Sequence, residues 1–362
     1  MSRTSSITLA NISVYRLLRP WLFRLDPERA HRWTLGWLDH AYAIGALSAL
    51  GFDTAASSRG NAAPVTVMGI TFPNRVGLAA GLDKNAEHID ALSALGFGFI
   101  EVGTITPRPQ PGNPLPRMFR IPEAHALINR LGFNNLGIDR LVYNIGRSKY
   151  RGILGINLGK NFDTPIGSAS RDYLTCMRKA YPIASYLTVN ISSPNTLELR
   201  KLQEPDALNE LLAILKTEQR ILADKHERYV PLVVKIAPDL EDAQLREIAD
   251  LLVAHGVDGV IATNTTVSRA GVELYRYADE RGGLSGAPLR DRATGVVRVL
   301  HAALGERIPI IAAGGIASAQ HAQEKIAAGA KLVQLYTGLI YTGPRLVRDC
   351  ITSLRKLDLP HA

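Results

Sequence analysis

The sequence predicts an α/β protein, a (β/α)8 TIM barrel with a small helical extension at its N-terminus. From about Val76 onward, short apolar runs alternate with amphipathic stretches, the pattern of β/α units around a parallel sheet. Eight runs can be counted, at 76–80, 98–103, 153–157, 186–191, 232–236, 259–263, 308–312 and 332–336. Most carry Gly, Asn, Lys, Thr or Tyr at or next to their C-terminal end. The chain of 362 residues has room for one such barrel, which takes about 250 residues, plus an appendage.

The segments between the runs read as helices. Residues 206–226 place Leu208, Leu211, Leu212 and Leu215 on one face, and 242–255 end at the turn-forming Gly256. Two insertions break the rhythm. The first, 106–135, is rich in Pro and Gly and too long for a simple connector, so it is expected to form a lid or binding loop. The second, 268–288, follows the sixth run and contains GGLSG. Barrel active sites are built at strand C-termini and the loops beyond them, so both insertions fall on the functional face.

Residues 1–45 stand outside this pattern and are read as a separate extension, with 46–362 as the barrel domain. Val14, Leu17, Leu18, Trp21, Leu22 and Leu25 form one stripe at helical spacing. After the cap-like Asp26-Pro27-Glu28, a second amphipathic helix carries Ala30, Trp33, Leu35, Trp37 and Leu38. All three tryptophans lie here, beside Arg3, Arg16, Arg19, Arg24, Arg29 and Arg32. Aromatic and basic residues on a short amphipathic pair suit a helix lying among lipid headgroups. A helical hairpin packed on the side of the barrel is the alternative.

Composition narrows the function. Apolar residues make up 46% and charged residues 21%, enough for a large core. The formal charge of +9 favours anionic partners, but the basic residues are scattered and no nucleic-acid-binding spacing appears, so nucleic acid is not expected as a partner. Cys176 and Cys350 are the only cysteines, too few for a cysteine-held zinc or iron–sulfur site, and no metal is expected. No apolar run reaches the roughly 18 residues of a membrane span, and the start lacks a signal peptide's apolar core and cleavage site.

The polar residues at the run ends carry the chemistry. Gly286 with Gly314 and Gly315, ahead of a helix start near Ser318, lets backbone N–H groups approach an anion after strands seven and eight, where barrels often hold phosphate. Asn129, Asn157, Asn190 and Asn264, with Asn195 close behind, offer both donors and acceptors to a planar heterocycle such as a flavin or pyrimidine. Lys84 and Lys235 at the mouth are open to Schiff-base chemistry, to anion binding or to stabilising charge on a cofactor. Ser193 has no histidine in a triad-like motif; to move a proton it needs a relay, with Thr196 or water the candidates.

The segments AAGLDKN (79–85), TPRPQPGNPLPRMFR (106–120), NRLGFNN (129–135), VNISSPNT (189–196), VKIAPD (234–239), ATNTT (262–266) and GGLSG (282–286) resemble, in order and spacing, those of the class 2 dihydroorotate dehydrogenases. LFRLDPERAH (22–31) is similar to the extension that marks that class. The resemblance implies an enzyme that oxidises dihydroorotate to orotate with FMN in pyrimidine synthesis and passes the electrons to a membrane quinone. It implies peripheral association with a respiratory membrane, and the missing transit-like stretch suggests the cytoplasmic side of a bacterial inner membrane. Ala79, Ala80, Gly81, Leu82, Asp83, Lys84, Thr104, Asn157, Asn190, Lys235 and Thr263 are then expected at the flavin, and Gly286, Gly315, Tyr336 and Thr337 at its phosphate. Lys84, Asn129, Arg130, Leu131, Gly132, Phe133, Asn190, Asn195, Asn264 and Thr265 are expected at the pyrimidine.

Ser193 matches the family's base for the C5 proton of dihydroorotate, and Lys235 would stabilise negative charge on the flavin that accepts hydride from C6. His31, Arg120 and Tyr336 are expected along the quinone route. Class 1 relatives, which use fumarate or NAD, characteristically place Cys where this chain has Ser193, so serine together with the extension favours quinone. The chain departs from the family's commoner pattern at Phe162 and in NTLELR (195–200), differences that bear on loop detail, and Leu131 replaces a methionine of some relatives at nearly equal volume.

Overall fold

The structure, a computed structural model, describes residues 14–49 and 64–358. Arg3 and the rest of the first thirteen residues of the extension lie outside the described residues. All eight expected runs form strands: β3 (Val76–Leu78), β4 (Phe99–Ile105), β7 (Ile153–Leu158), β8 (Tyr186–Asn190), β9 (Leu232–Ile236), β10 (Gly259–Ala262), β12 (Ile310–Ala313) and β13 (Leu332–Leu335). They pair in parallel in that order, and β13 returns to β3 to close the barrel. The first strand ends sooner than expected: Ala79 still donates to Leu335 O at 3.0 Å, but it and Ala80 already line the cavity above the barrel.

A hairpin absent from the sequence reading precedes the barrel. β1 (Val65–Val67) and β2 (Ile70–Phe72) pair antiparallel across Met68 and Gly69, both with positive φ, as a two-residue turn matched to strand twist requires. The hairpin closes the barrel's N-terminal end. Val67 and Phe72 pack there with Phe99, Tyr186, Val233, Ile261, Ile311 and Leu332. Two glycines make room for the large rings: a Cβ on Gly77 would lie 2.2 Å from Phe99 Cζ, and one on Gly155 equally close to Tyr186 Cζ. Phe99 is fully buried, edge-on to Phe72 at 5.1 Å and to Tyr186 at 6.4 Å. Phe99→Ala is expected to cost about 3–5 kcal/mol, seen as a lower midpoint in chemical denaturation.

The two insertions meet. β5 (Met118–Ile121) and β6 (Ala126–Asn129) from the first, with β11 (Gly283–Gly286) from the second, form an antiparallel sheet ordered β11-β6-β5. Phe119, Ile121, Ala126, Ile128 and Leu284 bury one face of it against Val272. The lid expected as a loop is therefore a small sheet with its own core.

The extension forms α1 (Val14–Leu22) and α2 (Pro27–Ala43). Asp26 caps α2 by accepting from the backbone N–H groups of Glu28 and Arg29. The stripe read from the sequence divides: Leu22 faces the barrel, and Leu35 joins its main core, whereas Leu17, Leu18, Trp21, Trp33 and Trp37 are exposed. The helices are pinned by polar contacts. Tyr15 donates to the Ile340 carbonyl, Arg19 to Tyr341 O at 2.7 Å, and Arg120 to Leu22 O at 3.1 Å and to Leu25 O. Among the described residues no helix is long and apolar enough to cross a membrane.

Candidate active site

At the C-terminal mouth of the barrel lies an open cavity of about 1030 Å³. One end is a cradle of backbone. Gly286 and Gly315 sit at φ +100° and +75°; a Cβ would come within 2.2 Å of His125 O at the first and 2.3 Å of Arg290 Cα at the second. Only glycine fits there. The helix Ala319–Ala327 begins just beyond, its N-terminus capped by Ser318, which accepts from His321 N at 3.2 Å. Thr337 donates to Ser285 Oγ at 2.9 Å and the Tyr336 hydroxyl to Gly81 O at 3.3 Å, which fixes the walls.

The other end is polar. Asn190 donates to Thr104 Oγ1 at 2.9 Å and to Asn157 Oδ1 at 3.2 Å, and Thr104 donates to the same Asn157 oxygen at 2.6 Å. Asn264 donates to Asn190 Oδ1 at 3.3 Å and to Ser192 Oγ at 3.0 Å, while Asn195 donates to Asn129 Oδ1 at 3.2 Å. The ends of β4, β7 and β8 and the loop after β10 are thus joined through side-chain amides, and a separate amide bond ties the loop after β8 to β6. Lys235 faces the cavity with no hydrogen-bond partner among the described residues, and burial lowers its pKa while Glu101 opposes the shift. Burial brings Lys84 down to about 8; its ammonium donates to Gly81 O at 3.0 Å.

Ser193 lines the cavity and is buried. Its hydroxyl accepts from Asn195 N at 3.2 Å, and among the described residues neither carboxylate nor imidazole bonds to it. Nearby Thr196 has a buried hydroxyl with no partner among the described residues.

Most of the expected residues line this cavity, but four do not. Leu82 faces a second cavity, and Asp83 is buried, its carboxylate accepting from Glu87 N and His88 N. Asn157 is fully buried among Glu101, Thr104 and Asn190. Arg130 points outward from the end of β6: it pairs with Glu280 at 2.5 Å and donates to Pro116 O at 2.8 Å, clamping the two insertions together. The sequence reading also missed residues that matter here. Ser285, Leu289, Ile316 and Gln334 line the cavity, and Gln334 leaves its carbonyl oxygen without a partner while donating to the fully buried Glu101 at 2.8 Å. A polar residue inside an apolar run, such as Gln334 in LVQLY, was the available signal.

A second cavity, of about 870 Å³, opens between α1, α2 and the barrel. Its walls are largely apolar, including Leu22, Phe23, Ala30, Leu35, Leu38 and Leu82, with His31 and Arg120 as polar members. Tyr336 lines both cavities. Desolvation pushes His31 down to about 3, with the charge of Lys84 adding to the shift, so the imidazole is neutral at neutral pH. Between pH 6.5 and about 3 the unfolded chain takes up a proton that the folded chain does not, so stability present above pH 6.5 is lost on acidification. Denaturation midpoints measured at pH 7 and pH 5 are expected to differ less in His31→Gln than in the parent.

Glu28 on α2 and Arg117 on the first insertion form a bidentate pair at 2.7 and 3.0 Å, which ties the extension to the lid and holds the carboxyl below its usual pKa. Among the described residues no cluster of three His, Cys, Asp or Glu could hold a metal.

Comparison with known proteins supplies the family. Residues 62–357 match the family model described as dihydroorotate dehydrogenase. A Methylobacillus flagellatus protein named dihydroorotate dehydrogenase (quinone) is 58% identical over 94% of this chain and 99% of its own length. One of the same name from Chromobacterium violaceum is 60% identical over 93% and 96%. A crystal structure of the Eimeria tenella enzyme in complex with ferulenol superposes with a TM-score of 0.81 at 36% identity, covering 94% of each chain. The chain therefore belongs to the dihydroorotate dehydrogenase family.

Proposed function

We propose that this protein oxidises dihydroorotate to orotate, a step of pyrimidine synthesis, with FMN as cofactor and a membrane quinone as final acceptor. The observation that carries the reading is the pair of cavities sharing Tyr336, one polar and glycine-cradled at the barrel mouth, the other apolar beneath the N-terminal helices. FMN fits the first by its chemistry: a cradle open to phosphate, an unpaired lysine, and an orphaned Gln334 carbonyl. When bound, FMN supplies a hydride acceptor at the barrel mouth and an electron donor toward the second cavity.

Gly286, Gly315, Tyr336 and Thr337 would hold the phosphate end of FMN. Ala79, Ala80, Gly81, Thr104, Asn190 and Thr263 would flank its ring system, and Lys235 would offer a positive charge to the reduced ring. Lys84 at the mouth, with Asn129, Asn190, Asn195 and Asn264, presents a cation and paired amide donors and acceptors to the carboxylate and ring amides of the substrate. Leu131, Gly132, Phe133 and Thr265 complete its walls. Ser193 Oγ takes the C5 proton as it gives its own hydroxyl proton to Thr196 or a water. Asp83, Asn157 and Arg130 act through the neighbours described above, and Leu82 lines the second cavity.

For the second half-reaction, His31, Arg120 and Tyr336 line the quinone route within an apolar wall. Residues 1–45 serve as the access element and 46–362 as the catalytic barrel. The exposed Leu17, Leu18, Trp21, Trp33 and Trp37, beside basic side chains, are a surface for the headgroup region of a membrane, on the cytoplasmic side of a bacterial inner membrane. Mass spectrometry of the cofactor released on denaturation is expected to show FMN, and purified protein to turn over dihydroorotate with a quinone analogue but not with fumarate. Turnover with fumarate at a comparable rate would contradict the acceptor assignment.

A further inference from the structure

Arg200 and Asp239 do not line the cavity, yet they meet behind the loop that carries Ser193. Arg200 lies in the short turn Leu199–Gln203 that follows this loop. Its guanidinium reaches back to three segments at once. Nε donates to Ser192 O at 3.1 Å, the carbonyl of the peptide that joins Ser192 to Ser193. Nη2 donates to Thr265 O at 2.9 Å, and Nη1 to Asp239 Oδ2 at 2.8 Å. Asp239 in turn accepts from the Thr266 hydroxyl and from Val267 N at 3.2 Å. The two side chains are less than a quarter exposed, at 23% and 22%.

We propose that Arg200, held by Asp239, is a positioning residue for proton removal: it fixes the spacing between Ser193 and the Asn264–Thr265 segment across the cavity. The proposal rests on the assignment of Ser193 as base. Residues 191–193 have no regular secondary structure, so the Ser192 carbonyl has no strand partner and the guanidinium takes that place. Hydrogen bonds from a charged donor are the stronger kind, and a planar fork reaches three acceptors in fixed directions where an ammonium cannot. The clamp joins the loops after β8, β9 and β10, and Asn264 closes the same circuit from the cavity side through its 3.0 Å bond to Ser192 Oγ.

The test uses the full-length flavoprotein with Arg200→Met, Arg200→Lys or Asp239→Asn, mixed anaerobically with dihydroorotate carrying hydrogen or deuterium at C5. In Arg200→Met, flavin reduction is expected to slow about 10- to 100-fold, the range that follows from a displacement near 1 Å. Arg200→Lys should fall between it and the parent, the slowed step should retain the C5 isotope effect, and reoxidation by a quinone analogue should stay within about twofold. Reduction at the parental rate, or slowed reduction without the isotope effect, would overturn the proposal. If Arg200→Met fails to fold, the isosteric Asp239→Asn decides the matter, parental reduction in it counting against the clamp. A parent protein whose flavin dihydroorotate does not reduce would instead sink the reading of the site, before any variant is made.

Discussion

Ser193→Ala is expected to slow the reduction of bound flavin by dihydroorotate by about 10²- to 10⁴-fold, the usual contribution of a positioned base. FMN should remain bound, because the phosphate cradle and the amide network do not use the Ser193 side chain. The hydroxyl has no base of its own and receives only the Asn195 N–H, so it depends on the orphaned Thr196 hydroxyl or water to carry the proton onward. Stopped-flow absorbance under anaerobic conditions separates the outcomes. An unchanged rate constant removes Ser193 from this role, and loss of the flavin spectrum gives it a structural one.

Removing the chain before Asp53 should lower turnover with a quinone analogue by at least about 100-fold, since the walls that align the acceptor are gone. Flavin reduction by dihydroorotate should stay within about threefold of the parent. The truncation also removes Glu28 and so one partner of Arg117. Arg117 keeps its bonds to Pro111 O at 2.6 Å and Asn113 O at 2.9 Å, so the lid retains anchors of its own. Parental quinone kinetics in the truncated protein would show that electrons leave by another path.

The barrel was legible because each strand is a short apolar run buried on both faces and bounded by polar turn residues. Its exact ends were not. The seventh apolar run starts at residue 308, but Pro309 cannot donate to a ladder, and pairing begins at Ile310. The β11-β6-β5 sheet was not legible at all, since Leu284 pairs with Ile128, far away in sequence, and the Pro-rich approach to β5 gives no strand period. The hairpin at Val65–Phe72 is short, and each of its strands is too brief to show alternation.

Motifs located the mouth of the barrel but not the direction of each side chain. In AAGLDKN, Gly81 and Lys84 reach one cavity, Leu82 the other, and Asp83 neither. In NRLGFNN, Asn129 and Arg130 diverge at the end of β6, one inward and one to Glu280. The second cavity exists only once α2 is docked, so His31 and Arg120, 89 positions apart, could be grouped by resemblance but not by pattern.

The most direct test of the two-cavity account is an anaerobic absorbance spectrum of the purified protein, recorded before and after dihydroorotate and again after a quinone analogue. The expected result is a flavin band that bleaches with dihydroorotate and returns with quinone. A flavin band that dihydroorotate leaves unchanged would contradict the assignment of the polar cavity, and one that bleaches but does not recover with quinone would contradict that of the apolar cavity.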